Sequence, residues 1–175
     1  MIASLLSLQS ASVRDPEDAA LFERSRERVI SMSLVHEQLL QADDLALIPF
    51  QPYLESLVTH IHHGHGNEGI ELSIACEEIS LEIDRAVPCG LIVTELTTNA
   101  LEHAFPANRS GAVAIGFAKE GDRYRLTVVD NGVGLPEDLD RSLGMTLVET
   151  LTTQLHGELS FLSSDGTSAE ISFPR

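Results

Sequence analysis

Polar side chains recur at a four-residue spacing in a segment that we predict to be a helix over Pro88–Ala104. Glu95, Asn99 and His103 follow one another in this way. Glu102 lies beside them, and at about 100° per residue all four share one side of a helix. A carboxylate and an amide oxygen one turn apart suit a Mg²⁺ ion that keeps several waters and binds phosphates. The same spacing is also typical of an amphipathic helix whose polar face only contacts solvent.

A second candidate group follows a segment that alternates like a strand. Asp130 ends this segment, and Gly132 and Gly134 come directly after it. Glycines let the backbone turn and approach a ligand closely. A buried carboxylate at a strand end can accept a hydrogen bond from an exocyclic amino group such as that of adenine. Because Asp-Asn-Gly is also an ordinary turn sequence, the motif by itself leaves a simple turn open.

Two further small-residue motifs precede the last predicted elements. Ser142–Thr146 begins a predicted helix, with Gly144 near its start. Free backbone N–H groups there could face phosphate oxygens, or the glycine could simply start a helix. Gly166 and Thr167 by themselves indicate a turn. The motifs G-x-x-x-x-G-K-S/T and G-x-S-x-G are both absent from the sequence, so neither a P-loop NTPase nor a nucleophilic hydrolase is predicted.

Acidic residues dominate the charge of the chain. Its 175 residues include 27 Asp and Glu against 11 Lys and Arg, a formal net charge of −16, with Lys119 as the sole lysine. Such a field repels polyanions, so we predict no nucleic-acid partner, and a phosphate ligand would need a metal ion or helix-end dipoles. No apolar run approaches the roughly 20 residues of a membrane span, so we expect a cytoplasmic protein without membrane insertion. Cys76 and Cys89 indicate buried free thiols.

The hydrophobic periods divide the chain into two units. A long helix is predicted from Asp15 to about Leu40, after a shorter apolar stripe over Ile2–Leu8, so residues 1–45 form a partial helical hairpin. This stripe begins without a capping residue, and we expect the native chain to continue upstream. Residues 46–175 are predicted to form a second domain, an α+β layer sandwich with mostly antiparallel connections. Its predicted helices cover about Pro52–His62, Pro88–Ala104 and Leu143–Leu155, and its strands about Ile70–Cys76, Ile79–Ile83, Val113–Phe117, Tyr124–Val128, Leu159–Phe161 and Ala169–Phe173.

In this order, the motifs resemble the catalytic ATP-binding domain of sensor histidine kinases, whose GHKL fold is shared with gyrase, Hsp90 and MutL. Glu95–Pro106 is similar to the N box, Asp130–Gly134 to the first glycine box, and Leu143–Met145 to a reduced second one. Residues 1–40 resemble the dimerisation and histidine-phosphotransfer hairpin of a subgroup related to the HWE kinases. The resemblance implies a two-layer α/β sandwich of the Bergerat type, preceded by a helical hairpin.

The resemblance also implies a reaction and roles for single residues. Asn99 would coordinate a Mg²⁺ ion that bridges the phosphates, and Asp130 would accept from the adenine amino group. Glu95 would orient a metal-bound water or help to deprotonate the acceptor. This protein-histidine kinase would transfer the γ-phosphoryl group of ATP to a histidine and then to an aspartate of a response regulator receiver domain, and its hairpin would be able to form a homodimer. The implied site residues are Glu95, Asn99, His103, Asp130, Gly132, Gly134, Leu135, Gly144, Met145 and Thr167.

Three features depart from the family pattern. Glu102 stands where the family commonly has a lysine near the phosphates. The ATP lid, Leu135–Arg141, is short, with Arg141 as its only cation. By resemblance, the acceptor histidine lies ahead of Ile2–Gln9, upstream of this chain. These departures leave open a non-catalytic interaction or phosphotransfer protein of the same fold, such as an anti-sigma-like switch or a degenerate kinase.

Five of the histidines have two interpretations each. His36 precedes a glutamate, as acceptor histidines do in other kinases, yet it shares a helix stripe with apolar residues. We therefore interpret His36 as a structural histidine. His60, His62, His63 and His65 could hold Zn²⁺ or Ni²⁺. Because the resemblance places them at the end of an outer helix, we interpret them as surface histidines.

Overall fold

The computed structural model describes residues 15–41, 47–65, 69–135 and 143–175. These residues form helices and one mixed sheet, which confirms the predicted α+β class. The helices are α1 (Pro16–Gln41), α2 (Phe50–His65), α3 (Ile83–Asn99) and α4 (Leu143–Gln154), with a π-helical turn over Ala100–Ala104 and a short 3-10 turn over Pro106–Asn108. The strands are β1 (Leu47–Pro49), β2 (Ile70–Cys76), β3 (Ser80–Glu82), β4 (Gly111–Glu120), β5 (Arg123–Asp130), β6 (Glu158–Ser164) and β7 (Gly166–Pro174).

Five strands form the main sheet in the order β2-β4-β5-β7-β6. The β2–β4 pair is parallel and the other three pairs are antiparallel, while β1 and β3 form a separate two-stranded pair. Because β7 runs beside β5, with Val129 opposite Ser168, the end of β5 lies next to the start of β7. Alternate residues of the two central strands are buried in the core: Val113, Ile115, Phe117, Tyr124, Leu126 and Val128.

Helix α3, which carries the N-box residues, begins earlier than predicted. We predicted a helix over Pro88–Ala104, but α3 begins at Ile83 and its continuation over Ala100–Ala104 is π-helical. The prediction was wrong because proline is favoured in a first helical turn, whereas Pro88 lies inside this helix and is buried. Pro88 removes one backbone hydrogen bond there. Asp84 in the actual first turn complements the helix dipole.

Helix α1 packs against both α2 and α3. Val35 of α1 is buried, and the Ser31 hydroxyl lies 3.1 Å from the hydroxyl of Tyr53 on α2. With α1 on one side and the rest of the core on the other, α3 is buried over the whole of Cys89–Thr98. Glu95 is only 4% exposed. The interpretation of this helix as one with a solvated polar face is therefore wrong for Glu95.

Two sequence-based predictions concern solvent exposure and the membrane. Among the described helices, none combines the length and the apolar character that a membrane span requires. Cys76 and Cys89 are both free thiols, and Cys89 is buried, whereas Cys76 is only half-buried. Burial raises the pKa of the Cys76 thiol to about 11. The prediction of buried free thiols is thus confirmed for Cys89 and holds only in part for Cys76.

Candidate nucleotide-binding site

The carboxylate of Asp130 is held by backbone amides at the edge where β5 ends and β7 begins. Asp130 is 8% exposed. Its Oδ1 accepts hydrogen bonds from the N–H of Gly132 at 2.8 Å and from the N–H of Thr167 at 3.2 Å. The two amide donors fix the orientation of the carboxylate. Three of the predicted site residues are thereby brought together by the pairing of β5 with β7.

The glycine segment after Asp130 lies against the end of the N-box helix. A Cβ on Gly132 would lie 2.4 Å from both the Cβ and the carbonyl oxygen of Ala104, so only glycine fits there. The N–H of Val133 donates to the same Ala104 carbonyl at 3.0 Å. Gly134 follows with a φ of 80°. The segment therefore connects the Asp130 carboxylate to the π-helical end of the N box.

On the other side of the N box, the start of α4 contacts α3. A Cβ on Gly144 would lie 2.6 Å from Oε2 of Glu95, so the bare glycine lets the helix start come close to this carboxylate. One turn further along α3, the side-chain Nδ2 of Asn99 lies 3.8 Å from Sδ of Met145. Four predicted site residues thus meet at the contact between α3 and α4. Backbone N–H groups at a helix start favour phosphate oxygens.

Two arginines of α1 form ion pairs with two carboxylates of the N box. Arg28 donates through Nε to Oε1 of Glu95 at 2.5 Å. Arg24 donates through Nη2 to Oε2 of Glu102, also at 2.5 Å. The hydrogen bond with Glu95 raises the pKa of Arg28, so this guanidinium stays charged. His103, 68% exposed, lies 3.5 Å from Glu102, on the solvent side of the group.

Sequence reasoning missed these arginines. Arg24 and Arg28 are one turn apart on α1, and their partners Glu95 and Glu102 are about two turns apart on the other helix. Opposite charges on the two helices are the only sequence signal, and it is a weak one, because the arginines are four residues apart and the glutamates seven. The pairs join positions separated by 67 and 78 residues, and nothing local links them.

A buried acidic residue of α1 completes this interface. Glu27 accepts a hydrogen bond from the hydroxyl of Thr98 at 3.3 Å, and its Oε1 lies 3.7 Å from Nδ1 of His65. Burial raises the pKa of Glu27, while His65 and the Thr98 hydroxyl oppose that shift. Helices α1, α2 and α3 therefore meet at one polar group inside the domain contact.

The oxygen-bearing side chains beside the start of α4 are of the kind that a magnesium ion takes, although Oε1 of Glu95 is paired with Arg28 in this structure. Glu95 provides a carboxylate and Asn99 an amide oxygen, one turn apart on α3. Within the described ranges, no group of three or more His, Cys, Asp or Glu could hold a metal ion. Mg²⁺ commonly takes one or two protein oxygens and completes its octahedron with waters and substrate phosphates. The donor set suits such a nucleotide-bound ion better than a metal held by the protein alone.

The predicted histidine cluster and most of the predicted lid are not among the residues that form the contacts described above. His62 and His63 are exposed near the end of α2, and burial lowers the pKa of the partly buried His60. The side chain of His36 lies outside the described residues, as do residues 136–141 of the predicted lid. Of the lid, Leu135 is described, and its N–H donates to the hydroxyl of Ser163 at 3.0 Å.

The mixed sheet, the carboxylate at the end of β5 and the polar helix beside it define a class of protein. Residues 84–175 match the family described as "Histidine kinase-, DNA gyrase B-, and HSP90-like ATPase". Since this match covers more than half of the chain, the chain belongs to that ATPase family. Residues 1–65 match a family described as "Histidine kinase", and the combination places the chain among the sensor histidine kinases.

Individual relatives agree with this assignment. The chain is 30% identical over 185 residues to blue-light-activated histidine kinase 2 of Erythrobacter litoralis, covering 99% of this chain and 53% of the relative. It is 32% identical over 192 residues to the sensor histidine kinase PdtaS of Mycolicibacterium smegmatis, covering 99% and 36%. The solved histidine kinase domain of an Erythrobacter litoralis blue-light-activated kinase superposes with a TM-score of 0.79 at 27% identity, covering 98% of this chain and 94% of that one. The chain spans about half, or less, of the length of these two curated relatives.

Proposed function

We propose that this chain is the ATP-binding catalytic portion of a two-component sensor histidine kinase. It would transfer the γ-phosphoryl group of Mg-ATP to a histidine ahead of the Ile2–Gln9 segment, and from there to an aspartate of a response regulator receiver domain. The observation that carries the proposal is the Asp130 carboxylate, held by the amides of Gly132 and Thr167 beside the end of the N-box helix. The division of the chain into residues 1–45 and 46–175, and a homodimer through the hairpin, stay predictions.

Each part of the site would do one task in this reaction. Asp130 would accept a hydrogen bond from the adenine amino group, which makes the pocket select against bases that lack this donor. Asn99 would bind the magnesium ion through its amide oxygen. When bound, Mg²⁺ would neutralise part of the negative charge of the phosphates. The N–H groups at the start of α4, around Gly144, would contact phosphate oxygens. Glu95 would orient a water or take the proton of the attacking histidine.

The charge distribution supports a dependence on magnesium. Lys119, the sole lysine, is the second-last residue of β4, next to the β4–β5 turn. Its backbone N–H donates to the Glu77 carboxylate, and Tyr124 of β5 lies opposite it in the strand pair. It is therefore part of the β4–β5 hairpin end and not of the proposed site. With 27 acidic residues in the chain, a triphosphate gains little from the overall field. We expect binding that is strong only when a divalent cation accompanies the nucleotide.

The nucleotide proposal is tested by titration with a fluorescent ATP analogue, with and without Mg²⁺. Asp130→Asn replaces an acceptor oxygen by a donor and should weaken binding about 100-fold, because the adenine donor is left unpaired. Asp122→Asn removes the same charge from the exposed β4–β5 turn and serves as the matched control. Absence of Mg²⁺-dependent binding to the parent chain, or equal binding by Asp130→Asn, would overturn the proposal.

The phosphoryl-transfer part of the proposal places the acceptor histidine ahead of Ile2–Gln9, so its test uses a segment that carries such a histidine. We expect label from γ-labelled ATP on that segment, and transfer of the label to a receiver domain. His36→Ala should keep the label, since we interpret His36 as structural. The interaction-protein alternative has one observation in its favour, the ion pairing of Glu95 and Glu102 by α1. Nucleotide binding without any incorporated label would decide for that alternative.

A further inference from the structure

The N-box carboxylate with the proposed chemical role is closed off on both sides. Oε1 of Glu95 is bound by Arg28, and Oε2 faces the bare backbone of Gly144. The side chain of Glu95 is 5% exposed. In this arrangement neither a hydrated metal ion nor an incoming histidine can reach the carboxylate unless α1 or α4 moves away.

The second ion pair lies at the same helix contact. Arg24 binds Glu102, and its Nη1 would lie 3.8 Å from a Cβ on Gly144, so this guanidinium also reaches the start of α4. The two pairs run in opposite chain directions, with Arg28 on Glu95 and Arg24 on Glu102, as expected for antiparallel helices. Together they place two cations of α1 at the end of the N box, and each of them is already paired with a carboxylate of that helix.

A third observation concerns the guanidinium of Arg28, which pairs with Glu95 but does not use all of its hydrogen-bond donors. Its Nη2 is buried and has no hydrogen-bond partner among the described residues. An unpaired buried donor of a charged group costs free energy, which lowers the barrier to separating the helices. The ion pair favours packing of α1 on α3, and the unpaired donor opposes it. The two helices can therefore separate and pack again at modest cost.

From these contacts we infer that Arg24 and Arg28 form a latch, in which α1 pairs with Glu95 and Glu102 and keeps the Glu95 carboxylate inaccessible to a nucleotide-bound ion. The inference rests on the proposed ATP-binding function. It also explains Glu102, which replaces a lysine of the family pattern: its partner is an arginine of the hairpin. Opening of α1 would free Glu95, and a ligand that needs Glu95 binds with an apparent affinity reduced by the fraction of open molecules.

The first experiment removes the cation that covers Glu95. Arg28→Gln should bind the Mg²⁺ complex of the fluorescent ATP analogue at least about threefold more tightly than the parent chain, because the open state becomes more populated. Arg26→Gln is the matched control, since Arg26 pairs with Glu23 of the same helix. If Arg28→Gln binds the analogue more weakly than the parent or equally well, the latch is overturned.

The second experiment measures docking without any nucleotide and does not depend on Arg28. Arg24→Glu should speed hydrogen exchange of the α1 amides severalfold, and the swap Arg24→Glu with Glu102→Arg should restore slow exchange by rebuilding the pair with reversed signs. Unchanged exchange in Arg24→Glu, or a swap that fails to restore it, overturns the latch. If no variant binds nucleotide while exchange responds as expected, the proposed ATP function fails and the docking contact stands.

Discussion

The adenine side of the proposed site is built from backbone groups, whereas its phosphate side is built from side chains of three helices. At the adenine side, the amides of Gly132 and Thr167 hold Asp130, and both belong to the sheet or to the turn that leaves it. At the phosphate side, Glu95 is held by Arg28, a residue of α1. The first arrangement is complete within the sheet and the turn that leaves it, and the second requires α1 to be packed on α3.

This difference teaches which part of the site can be regulated. Backbone groups in a paired sheet have little freedom to rearrange, because each shift breaks ladder hydrogen bonds. Long side chains that meet across a helix contact can separate at modest cost, since water replaces part of the lost interaction. Recognition of the base would therefore be constant, while access to the phosphate side would depend on where α1 lies.

The largest effect is expected from a change on the backbone-built side. Gly166 has a φ of 112°, and a Cβ there would lie 2.0 Å from the carbonyl oxygen of Asp130. Gly166→Ala should therefore lower the free energy of unfolding by about 3 kcal/mol or more, since no flexible side chain can move aside. Urea denaturation measures this loss. Gly64→Ala, in helix α2 with nothing within 4 Å of its Cβ, is the control and should keep the free energy of unfolding or raise it by up to about 1 kcal/mol, since alanine favours the helix; similar losses in both variants would remove the contrast.

A smaller effect is expected from the equivalent change on the side-chain-built side. In Gly144→Ala the new Cβ meets Oε2 of Glu95, a side-chain atom that can shift. We expect a loss of about 1 kcal/mol in the free energy of unfolding. The loss should shrink in an Arg28→Gln background, where Glu95 is free to move, and a double-mutant cycle measures that coupling. A loss as large as that of Gly166→Ala would contradict the distinction between the two sides.

The smallest effect concerns the buried carboxylate of α1. Because burial raises the pKa of Glu27, the folded chain retains a proton there at pH values where the unfolded chain has lost it. Stability from this group therefore falls as pH rises from the unfolded pKa through the raised folded pKa. Glu27→Gln should show a slightly higher urea midpoint than the parent at pH 7, and no difference near about pH 4.

Three neighbouring titratable groups also act on the pKa of Glu27. His65 lowers its pKa, and Glu23 and Glu102 raise it. Glu37→Gln, on the exposed side of the same helix, is the matched control and should leave the midpoint unchanged at both pH values. A lower midpoint for Glu27→Gln at pH 7 would show that its charged form stabilises the interface.

The two sides also differ in how well they could be predicted. Asp130, Gly132 and Thr167 lie at strand ends and turns, where residue type and local backbone geometry are closely related; the resemblance named all three, and the structure brings them together. The alternation of β4 and β5 likewise followed from local pattern. The family was predicted from the order of the motifs, and the α+β class from the pattern of strands and helices; both are confirmed.

What could not be predicted depends on tertiary contact. The burial of Glu95 follows from α1 packing on α3, a contact between segments more than 60 residues apart that no periodicity reveals. The start of α3 at Ile83 was missed because Pro88 has the local signal of a helix start, and burial outweighs the cost of its missing donor. The roles of the ten predicted site residues stay predictions until nucleotide binding is measured.

The hydrogen-bonded contact between Tyr53 and Ser31 has a practical consequence. The chain contains two tyrosines and no tryptophan, so tyrosine emission is observed without a tryptophan background. The ring of Tyr53 is fully buried in α2, and its hydroxyl lies against α1. Burial raises the pKa of this phenol. If α1 moved away, the hydroxyl of Tyr53 would be exposed to water and the tyrosine emission would change. The unlabelled chain therefore carries an intrinsic optical reporter of α1 packing, and stopped-flow fluorescence can measure how fast α1 dissociates.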